Sequence, residues 1–195
     1  MDTLQPILSY ARQNHIPVLL DDSMNFLKEK VTEQNPKSVL EIGTAIGYSG
    51  SVILQNSTAF LYTIEKNEQS YNIAKQNFEK MNLSGRTTQF LGDGLDVCKQ
   101  LNAQSKKFDF IFLDGPKGQY IFYLPVLLEM LEPNGVLVCD NVLFRGLVRS
   151  DIDVGHKKRA MITKLRKFLK EIESREDLIT KVYEIGDGIA EIRKK

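Results

Sequence analysis

The sequence predicts an α/β fold in which a mostly parallel sheet is covered by helices on both faces. Short runs that are almost entirely apolar, such as SVLEIG and FDFIFLDG, alternate with segments whose apolar residues recur at helical spacing. Such continuously apolar strands are typical of parallel sheets buried on both faces, and the segments between them are typical of amphipathic helices. The tail departs from this rhythm, because Gly186-Asp187-Gly188 separates two strand-like runs and predicts an antiparallel hairpin.

Apolar spacing places the elements along the chain in turn. Two helices come first, and their expected buried positions are Leu4, Ile7, Leu8 and Ala11, followed by Leu20, Met24, Leu27 and Val31. The elements expected after them are a strand at 38–43, a helix at Tyr48–Gln55, a strand at 59–65, a helix through Tyr71, Ala74, Phe78 and Met81, strands at 87–93 and 108–115, a helix through Tyr123, Leu127 and Leu131, a strand at 135–141, a helix around Lys157–Ile172 and a hairpin at 178–194.

Length and composition are those of a single domain that can bury its own core. The chain has 195 residues, 42% of them hydrophobic, and a net charge of +1. We therefore expect one domain over 1–195, with an N-terminal helical segment at 1–35 and an α/β core at 36–195. No apolar run approaches the roughly 20 residues that span a membrane, and Cys98 and Cys139 form no CxxC pair. These features favour the reducing cytoplasm and argue against a membrane partner, a disulfide or a zinc site.

The first strand–helix turn, EIGTAIGYS, indicates which kind of cofactor the chain binds. A dinucleotide site uses GxGxxG, because glycines let the backbone approach a pyrophosphate, whereas Glu41 stands here at the first glycine position. A carboxylate repels a pyrophosphate and attracts a cation, and S-adenosylmethionine carries a sulfonium and an ammonium but no phosphate. The turn therefore favours a methyl donor over a dinucleotide, although Gly43 and Gly47 are also what a plain tight turn requires.

Acidic residues follow the ends of several predicted strands. In open α/β sheets, ligands bind outside the carboxyl ends of the strands, so these positions are candidates for ligand contacts. Glu65 ends the second strand and is placed to accept hydrogen bonds from ribose hydroxyls. Asp93 ends the third strand and is placed to meet an adenine amino group. Each acid taken singly is also consistent with a solvated strand end, but together they indicate a nucleoside site.

Four stretches resemble the metal-dependent O-methyltransferase family that includes the catechol and caffeoyl-CoA enzymes: VLEIGTAIGYSG, YTIEKNEQSYNIAKQNF, FDFIFLDGPKGQY and GVLVCDNVLFRG. The resemblance extends to the closing hairpin and, within the family, is strongest toward the bacterial tRNA 5-hydroxyuridine methyltransferases. It implies a Rossmann-like methyltransferase fold whose mostly parallel seven-stranded sheet ends in an antiparallel hairpin. It also implies that the helices at 1–35 cover the cofactor and that the protein is a homodimer.

The resemblance also assigns the S-adenosylmethionine site residue by residue. In relatives, the segment matching IPV lies near the donor, which makes Val18 a backbone contact. The other assignments fall on the first turn and on the strand ends. The implied donor-binding residues are Val18, Glu41, Gly43, Tyr48, Ser49, Glu65, Asp93, Gly94 and Asp114.

Hard oxygen ligands follow the fourth and fifth strands. Asp114 comes after the fourth strand, and Asp140 and Asn141 come after the fifth, which is its neighbour if the family's strand order holds. Mg²⁺ prefers a few protein oxygens and leaves its other octahedral positions to water and substrate. The resemblance implies the same assignment, since the matching residues of relatives hold the metal. The sequence thus predicts a divalent metal site at Asp114, Asp140 and Asn141.

Lys117 lies three residues beyond Asp114 and, together with that acid, is the candidate catalytic residue. Its position matches the lysine regarded as the general base in catechol-type relatives. An ammonium near a metal-held hydroxyl can also stabilise the oxyanion without taking the proton itself. Both roles remain open at the level of sequence, and an exposed, solvated lysine is the alternative to either.

A chelating metal predicts an acceptor with two adjacent oxygens, which a catechol and 5-hydroxyuridine both provide. The chain between Arg145 and Lys167 is strongly basic, and cations at a substrate mouth attract phosphates. We therefore expect Arg145, Lys157 and Lys158 to contact substrate. Mg²⁺-dependent methylation of wobble 5-hydroxyuridine in tRNA to 5-methoxyuridine is the leading prediction. O-methylation of a small catechol or a CoA-linked phenol is the alternative, and a non-catalytic S-adenosylmethionine-binding protein is less favoured.

Overall fold

Seven strands and seven α-helices occur along residues 4–150 and 155–195, the part of the chain that the computed structural model describes, apart from the side chains of His156 and Lys157. The strands form a seven-stranded mixed sheet. The predicted fold class, a mostly parallel sheet that ends in an antiparallel hairpin, is confirmed. The chain forms two units, residues 1–97 and 98–195. The single domain expected over 1–195 stays a prediction.

The first unit begins with two helices and continues with three parallel strands. Its elements are α1 (Gln5–Gln13), α2 (Asp21–Gln34), β1 (Ser38–Ile42), α3 (Tyr48–Gln55), β2 (Phe60–Glu65), α4 (Glu68–Lys80) and β3 (Thr87–Leu91). The strands lie in the order β3-β2-β1, with Ile42 of β1 opposite Ile64 of β2 and Glu65 of β2 opposite Leu91 of β3. The carboxyl ends of all three strands therefore lie at one edge.

Burial in the first unit largely follows the apolar spacing of the sequence, and Leu4, Leu8, Tyr71 and Met81 are half-buried. Ala11, Ala74 and Phe78 are at most 1% exposed, as expected for the buried faces of α1 and α4. Leu20, expected on the buried face of the second helix, is instead 51% exposed. The reason is that α2 begins at Asp21, so Leu20 occupies the N-cap with an extended backbone.

The second unit contains a parallel strand pair and the antiparallel hairpin. Its elements are β4 (Phe108–Leu113), α6 (Tyr120–Met130), β5 (Leu131–Cys139), α7 (His156–Ser174), β6 (Leu178–Tyr183) and β7 (Ile189–Lys194). A short 3-10 turn, Lys117–Gln119, connects β4 to α6. The order is β4-β5-β7-β6, with β5 parallel to β4 and β7 antiparallel to both β5 and β6. The fourth and fifth strands are therefore neighbours, as the metal-site prediction requires.

The structure departs from the predicted elements at two places where turn residues obscure a boundary. Residues Gly94–Ala103 form a helix, α5, which the sequence pattern does not predict, because the preceding LGDG is typical of a strand end followed by a loop. Val97 and Leu101 are nevertheless buried at helical spacing. Leu131, predicted on the buried face of a helix, is the first residue of β5 and lies opposite Phe108.

Two expectations drawn from composition can be compared with the described residues. Among the helices of that part of the chain, none combines the length and apolar character that crossing a membrane requires. Cys98 and Cys139 are both buried thiols. Burial raises the pKa of the Cys139 thiol, and the neighbouring Asp140 raises it further, so this thiol stays protonated at neutral pH.

Candidate active site

The turn between β1 and α3 has an unusual backbone that only particular residues can adopt. Gly43, Ala45 and Gly47 all have positive φ, at 104°, 45° and 84°. A Cβ added at Gly47 would lie 3.1 Å from the ring of Phe78 and 3.3 Å from the Cβ of Ala74, so a side chain has neither the conformation nor the space it needs there. Gly47 also forms the N-cap of α3. The two glycines of EIGTAIGYS are thus required by the turn itself, and any contact of Gly43 with the donor stays a prediction.

Glu41 lies beneath this turn, fully buried. The Ser49 hydroxyl donates to its Oε1 and the Thr63 hydroxyl donates to its Oε2, both at 2.6 Å. The Thr63 hydroxyl is in turn hydrogen-bonded to that of Thr44. Charge-assisted hydrogen bonds of this kind are among the stronger ones in proteins, so Glu41 ties β1, β2 and the start of α3 together. A direct contact of Glu41 or Ser49 with the donor stays a prediction, whereas their role in anchoring the turn is visible.

Glu65 ends β2 and is half-buried. Its carboxylate accepts hydrogen bonds from the backbone N–H of Ala45 at 2.8 Å and of Asn67 at 2.7 Å. Because each carboxylate oxygen has further lone pairs, Glu65 can accept two more hydrogen bonds while these amides fix its orientation. Such a preset double acceptor fits the two hydroxyls of a ribose, as predicted for the nucleoside part of the donor.

Asp93 lies close to Glu65, as the strand-end argument predicts. The backbone N–H of Gly92 donates to the Glu65 carbonyl at 2.9 Å, and Asp93 is the next residue. The Asp93 carboxylate accepts from the Leu95 N–H at 3.0 Å and lies 3.6 Å from the Lys66 ammonium. Gly94 is the first residue of α5 and is half-buried. The backbone bond thus places the ends of β2 and β3 side by side, and contacts of Asp93 and Gly94 with the donor stay predictions.

The two other predicted donor contacts of the first unit lie apart from these acids in sequence. Val18 is half-buried in the segment between α1 and α2. Tyr48 is the first residue of α3 and is buried. The roles assigned to both residues by family resemblance stay predictions.

In the second unit, the predicted metal ligands follow directly on paired strand ends. Leu113 of β4 lies opposite Cys139 of β5, and the Asp140 N–H donates to the Leu113 carbonyl at 3.0 Å. Asp114 and Asp140 therefore directly follow the ends of two adjacent strands. Asn141 follows with a φ of 58°, a left-handed conformation that asparagine adopts more readily than most residues. The register of β4 and β5 thus places the three oxygen-bearing side chains at one end of this strand pair.

Lys117 and Asp114 form a hydrogen-bonded ion pair. The Lys117 Nζ lies 3.0 Å from Asp114 Oδ1, and the side chains are 25% and 24% exposed. Burial raises the pKa of Asp114, while the charge and hydrogen bond of Lys117 act in the opposite direction. Acids that are partly desolvated and paired with a cation are frequent at functional sites, and the turn after β4 brings these two side chains together.

The donor set fits a hard divalent cation. Within the described part of the chain, there is no cluster of three or more His, Cys, Asp or Glu side chains able to hold a metal. The set at the ends of β4 and β5 is instead two carboxylates and one amide, which suits Mg²⁺ with its remaining positions open to water or substrate and does not suit zinc. Metal binding at Asp114, Asp140 and Asn141 stays a prediction that the residues present support.

Two features of this region are not anticipated from the sequence. The turn between β6 and β7 holds the segment after Asn141, because the N–H groups of Leu143 and Phe144 donate to the Asp187 carbonyl, both at 2.9 Å. A Cβ added at Gly188 would lie 2.3 Å from Leu143, so this glycine is needed for the close approach. The hairpin signal was visible in the sequence, but nothing in it indicated that the hairpin turn supports the Asn141 segment.

The second unanticipated feature is Tyr120, the last residue of LDGPKGQY. Its hydroxyl lies 3.0 Å from the Asp140 carbonyl and 3.3 Å from the Leu113 carbonyl. Burial raises the pKa of Tyr120 well above its ordinary value, and the charge of Asp114 raises it further, so the hydroxyl remains a donor. A tyrosine three residues after the candidate catalytic lysine was the signal in the sequence that could have identified it.

Part of the basic segment is engaged within the protein. Arg149 pairs with Glu173 at 3.1 Å and with Glu184 at 3.5 Å. Arg166 donates to the carbonyls of Val148 at 2.9 Å, Leu147 and Ser150. These two arginines hold the loop after β5, so the sequence count of cations overstates the number directed at a substrate.

Of the three predicted substrate contacts, Arg145 and Lys158 are exposed. The Arg145 guanidinium lies 5.9 Å from the centre of the Phe144 ring, and both residues have positive φ. The side chain of Lys157 lies outside the described residues, although its backbone is part of α7. Contacts of any of the three with a substrate stay predictions.

The fold is that of a Rossmann-like methyltransferase. The model of the O-methyltransferase family matches residues 7–195, and the chain belongs to this family. It is an S-adenosylmethionine-dependent O-methyltransferase of the type that includes the caffeoyl-CoA enzymes.

Named relatives and solved structures agree with this assignment. The caffeoyl-CoA O-methyltransferase of Populus kitakamiensis is 26% identical over 181 residues, which cover 89% of this chain and 76% of that protein. The structure of a proposed caffeoyl-CoA O-methyltransferase from Staphylococcus aureus is similar with a TM-score of 0.91 and 27% identity, over 100% of this chain and 93% of that one. The O-methyltransferase from Bacillus cereus in complex with S-adenosylhomocysteine gives a TM-score of 0.87 and 26% identity, over 100% and 91%.

Proposed function

We propose that the protein is a Mg²⁺-dependent O-methyltransferase for acceptors with two adjacent oxygens, and that its acceptor is 5-hydroxyuridine at the wobble position of tRNA. The observation that carries the metal-dependent part is the register of β4 and β5. It places Asp114 and Asp140 on neighbouring strand ends, with Asn141 next in sequence and the Lys117 ammonium 3.0 Å from the Asp114 carboxylate. An acceptor with vicinal oxygens suits the open positions of a metal held by these residues.

The side chains of the second unit have distinct tasks in this proposal. A divalent cation bound by Asp114, Asp140 and Asn141 would supply Lewis-acid chemistry that lowers the pKa of the acceptor hydroxyl. The transfer breaks the sulfur–methyl bond of S-adenosylmethionine, forms an oxygen–methyl bond on the acceptor and releases the hydroxyl proton. Lys117 either accepts that proton or, as an ammonium, stabilises the negative charge on the acceptor oxygen. Asp114 orients Lys117 through their hydrogen bond.

The first unit is proposed to bind the methyl donor. Glu65 accepts the ribose hydroxyls with its carboxylate preset by two backbone amides. Glu41, held by two hydroxyls beneath the glycine turn, is the carboxyl group under the segment proposed to receive the methionine part. A buried negative charge favours a ligand that carries a sulfonium and an ammonium over one that carries a pyrophosphate.

The choice of tRNA as acceptor rests on the family resemblance and on two exposed cations. Arg145 and Lys158 can attract phosphates, and the Phe144 ring beside Arg145 offers a surface on which a nucleobase can stack. The test combines purified protein, Mg²⁺, labelled S-adenosylmethionine and tRNA that carries 5-hydroxyuridine, with matched tRNA that carries unmodified uridine as control. We expect 5-methoxyuridine by nucleoside mass spectrometry only with the first tRNA. Absence of that product from a preparation that methylates another acceptor would overturn the tRNA assignment.

A second acceptor class is favoured by the relatives. The Populus kitakamiensis relative is named for caffeoyl-CoA, which offers two adjacent oxygens on an anionic carrier. Exposed cations after β5 suit such a carrier as well as a tRNA. The two candidates are separated by offering caffeoyl-CoA and a free catechol in the same assay. A preference for caffeoyl-CoA over hydroxyuridine-containing tRNA would favour a small-molecule acceptor over tRNA.

A further inference from the structure

Tyr120 connects the two strand ends that carry the proposed metal ligands. It is the first residue of α6 and its side chain is fully buried, although it carries a polar hydroxyl. That hydroxyl lies 3.0 Å from the carbonyl of Asp140 and 3.3 Å from the carbonyl of Leu113. Leu113 directly precedes Asp114. One hydroxyl therefore touches the main chain at both strand ends.

The arrangement closes a short ring of interactions around the ligand positions. Asp114 and Lys117 belong to the connection between β4 and α6, and Tyr120 is the first residue of α6. Lys117 reaches back to the Asp114 carboxylate, and Tyr120 reaches across to Asp140, whose own N–H donates to Leu113. A tyrosine hydroxyl has one proton, so it donates to one carbonyl at a time or is shared between both. In either case it restrains the spacing of the two strand ends.

The ring of Tyr120 is itself held in place. The Phe168 ring of α7 packs edge-on against it, with ring centres 5.6 Å apart and an interplanar angle of 77°. Both rings are fully buried in the second unit. A close-packed aromatic side chain is a stiff support, and metal ligands need such support because their geometry must be held within about 0.5 Å.

We propose that Tyr120 is a positioning residue that sets the spacing of Asp114 relative to Asp140 and Asn141 and thereby determines the affinity of the site for a divalent cation. This inference rests on the proposed function, since it concerns the same metal ligands. It assigns Tyr120 no contact with the reacting atoms. Removing a residue that orients metal ligands typically weakens metal binding about tenfold to a hundredfold.

The test compares two tyrosine-to-phenylalanine variants of the full chain, with Mn²⁺ alone as the probe. Tyr120→Phe removes the hydroxyl and keeps the ring. Tyr183→Phe is the matched control, because it also removes a hydrogen-bonded hydroxyl of the second unit, the one that donates to Glu191 at 2.9 Å in the closing hairpin. Electron paramagnetic resonance measures free and bound Mn²⁺ without donor or acceptor, and calorimetry with S-adenosylhomocysteine measures donor-site affinity.

We expect Tyr120→Phe to weaken Mn²⁺ binding about tenfold and to leave S-adenosylhomocysteine binding unchanged. Tyr183→Phe should change neither affinity. In activity assays, the Mg²⁺ concentration for half-maximal rate should rise for Tyr120→Phe, and saturating Mg²⁺ should restore most of the rate. A merely structural loss would lower both affinities or the saturated rate. If Tyr120→Phe does not fold, Phe168→Leu, which loosens the ring but keeps the hydroxyl, should weaken Mn²⁺ binding in the same selective way.

Failure of this inference is distinguishable from failure of the proposed function. If the wild-type protein binds Mn²⁺ and Asp140→Asn abolishes that binding, but Tyr120→Phe binds as the wild type does, the positioning role is overturned and the metal site stands. If the wild-type protein binds no Mn²⁺, or Asp140→Asn binds it unchanged, the metal site itself is overturned and the positioning role with it.

Discussion

Glu41 and Glu65 of the first unit and Asp114 of the second unit are held by different kinds of partner. Glu41 and Glu65 accept hydrogen bonds from hydroxyls and backbone amides, which are neutral donors. Asp114 is instead paired with a lysine, and burial raises its pKa. Hydrogen bonds from neutral donors fix the orientation of a carboxylate without neutralising its charge. A carboxylate that is paired with a lysine can in addition bind a stronger cation. The surroundings of a strand-end acid therefore decide whether it is a rigidly held hydrogen-bond acceptor or a candidate for metal binding.

The largest expected effect separates the two units by function. Asp140→Asn should lower the rate of methyl transfer about 10³-fold, because Lewis-acid stabilisation is worth several kcal/mol. S-adenosylhomocysteine binding, measured by calorimetry, should not change. Asp187→Asn in the hairpin turn is the matched control and should retain the wild-type rate. Full activity of Asp140→Asn, or a loss of S-adenosylhomocysteine binding in this variant, would contradict the proposal that the first unit binds the donor and the second unit carries the metal chemistry.

The next prediction concerns stability. Glu41→Ala should lower the free energy of unfolding by about 3 kcal/mol, because it leaves the Ser49 and Thr63 hydroxyls buried without their carboxylate. Asp114→Ala should change the same free energy by less than about 1 kcal/mol, because Asp114 and its Lys117 partner are each about a quarter exposed and the lysine can turn to solvent. Urea unfolding followed by circular dichroism gives both values. Equal losses in the two variants would show that the acids do not differ in the way proposed.

The smallest expected effect tests the donor side alone. Glu65→Gln replaces one carboxylate oxygen by an NH₂ group that cannot accept, and it should weaken S-adenosylhomocysteine binding about tenfold, or 1.4 kcal/mol. Mn²⁺ binding should remain at the wild-type value. Glu68→Gln, at the exposed start of α4, is the control for the loss of one negative charge nearby. A variant that binds Mn²⁺ less tightly and the donor normally would reverse the assignment of the two regions.

Most of the fold was predictable because it depends on local patterns. The nearly continuous apolar runs of β1, β4 and β5 and the Gly-Asp-Gly signal before β7 gave the parallel sheet and the closing hairpin. The helix α3 has the bounds expected for it, Tyr48–Gln55. The missed helix α5 and the misplaced Leu131 lie beside glycine and proline, where turn signals and element boundaries overlap.

The candidate site was predictable in its residue types but not in its supports. The strand-end position of Asp114, Asp140 and Glu65 follows from the sequence, because the carboxyl ends of parallel strands meet at one edge. The sequence does not show that Glu41 is fully buried and accepts hydrogen bonds from two hydroxyls. It also does not show that Arg149 pairs with Glu173 and Glu184. Residue counts carry no information on which partner a charge finds.

By itself, the sequence determined the alternation of strands and helices, the glycine turn and the chemistry carried by each strand end. These properties depend on residues near one another in the chain, so periodicity and turn chemistry encode them. Only the tertiary structure decided that the Tyr120 hydroxyl contacts Asp140 and that the turn at Asp187 and Gly188 holds the segment after Asn141. Those contacts join residues 20 or more positions apart, and they arise from the register of β4 on β5 and from the return of β7 against β5, which no local pattern specifies.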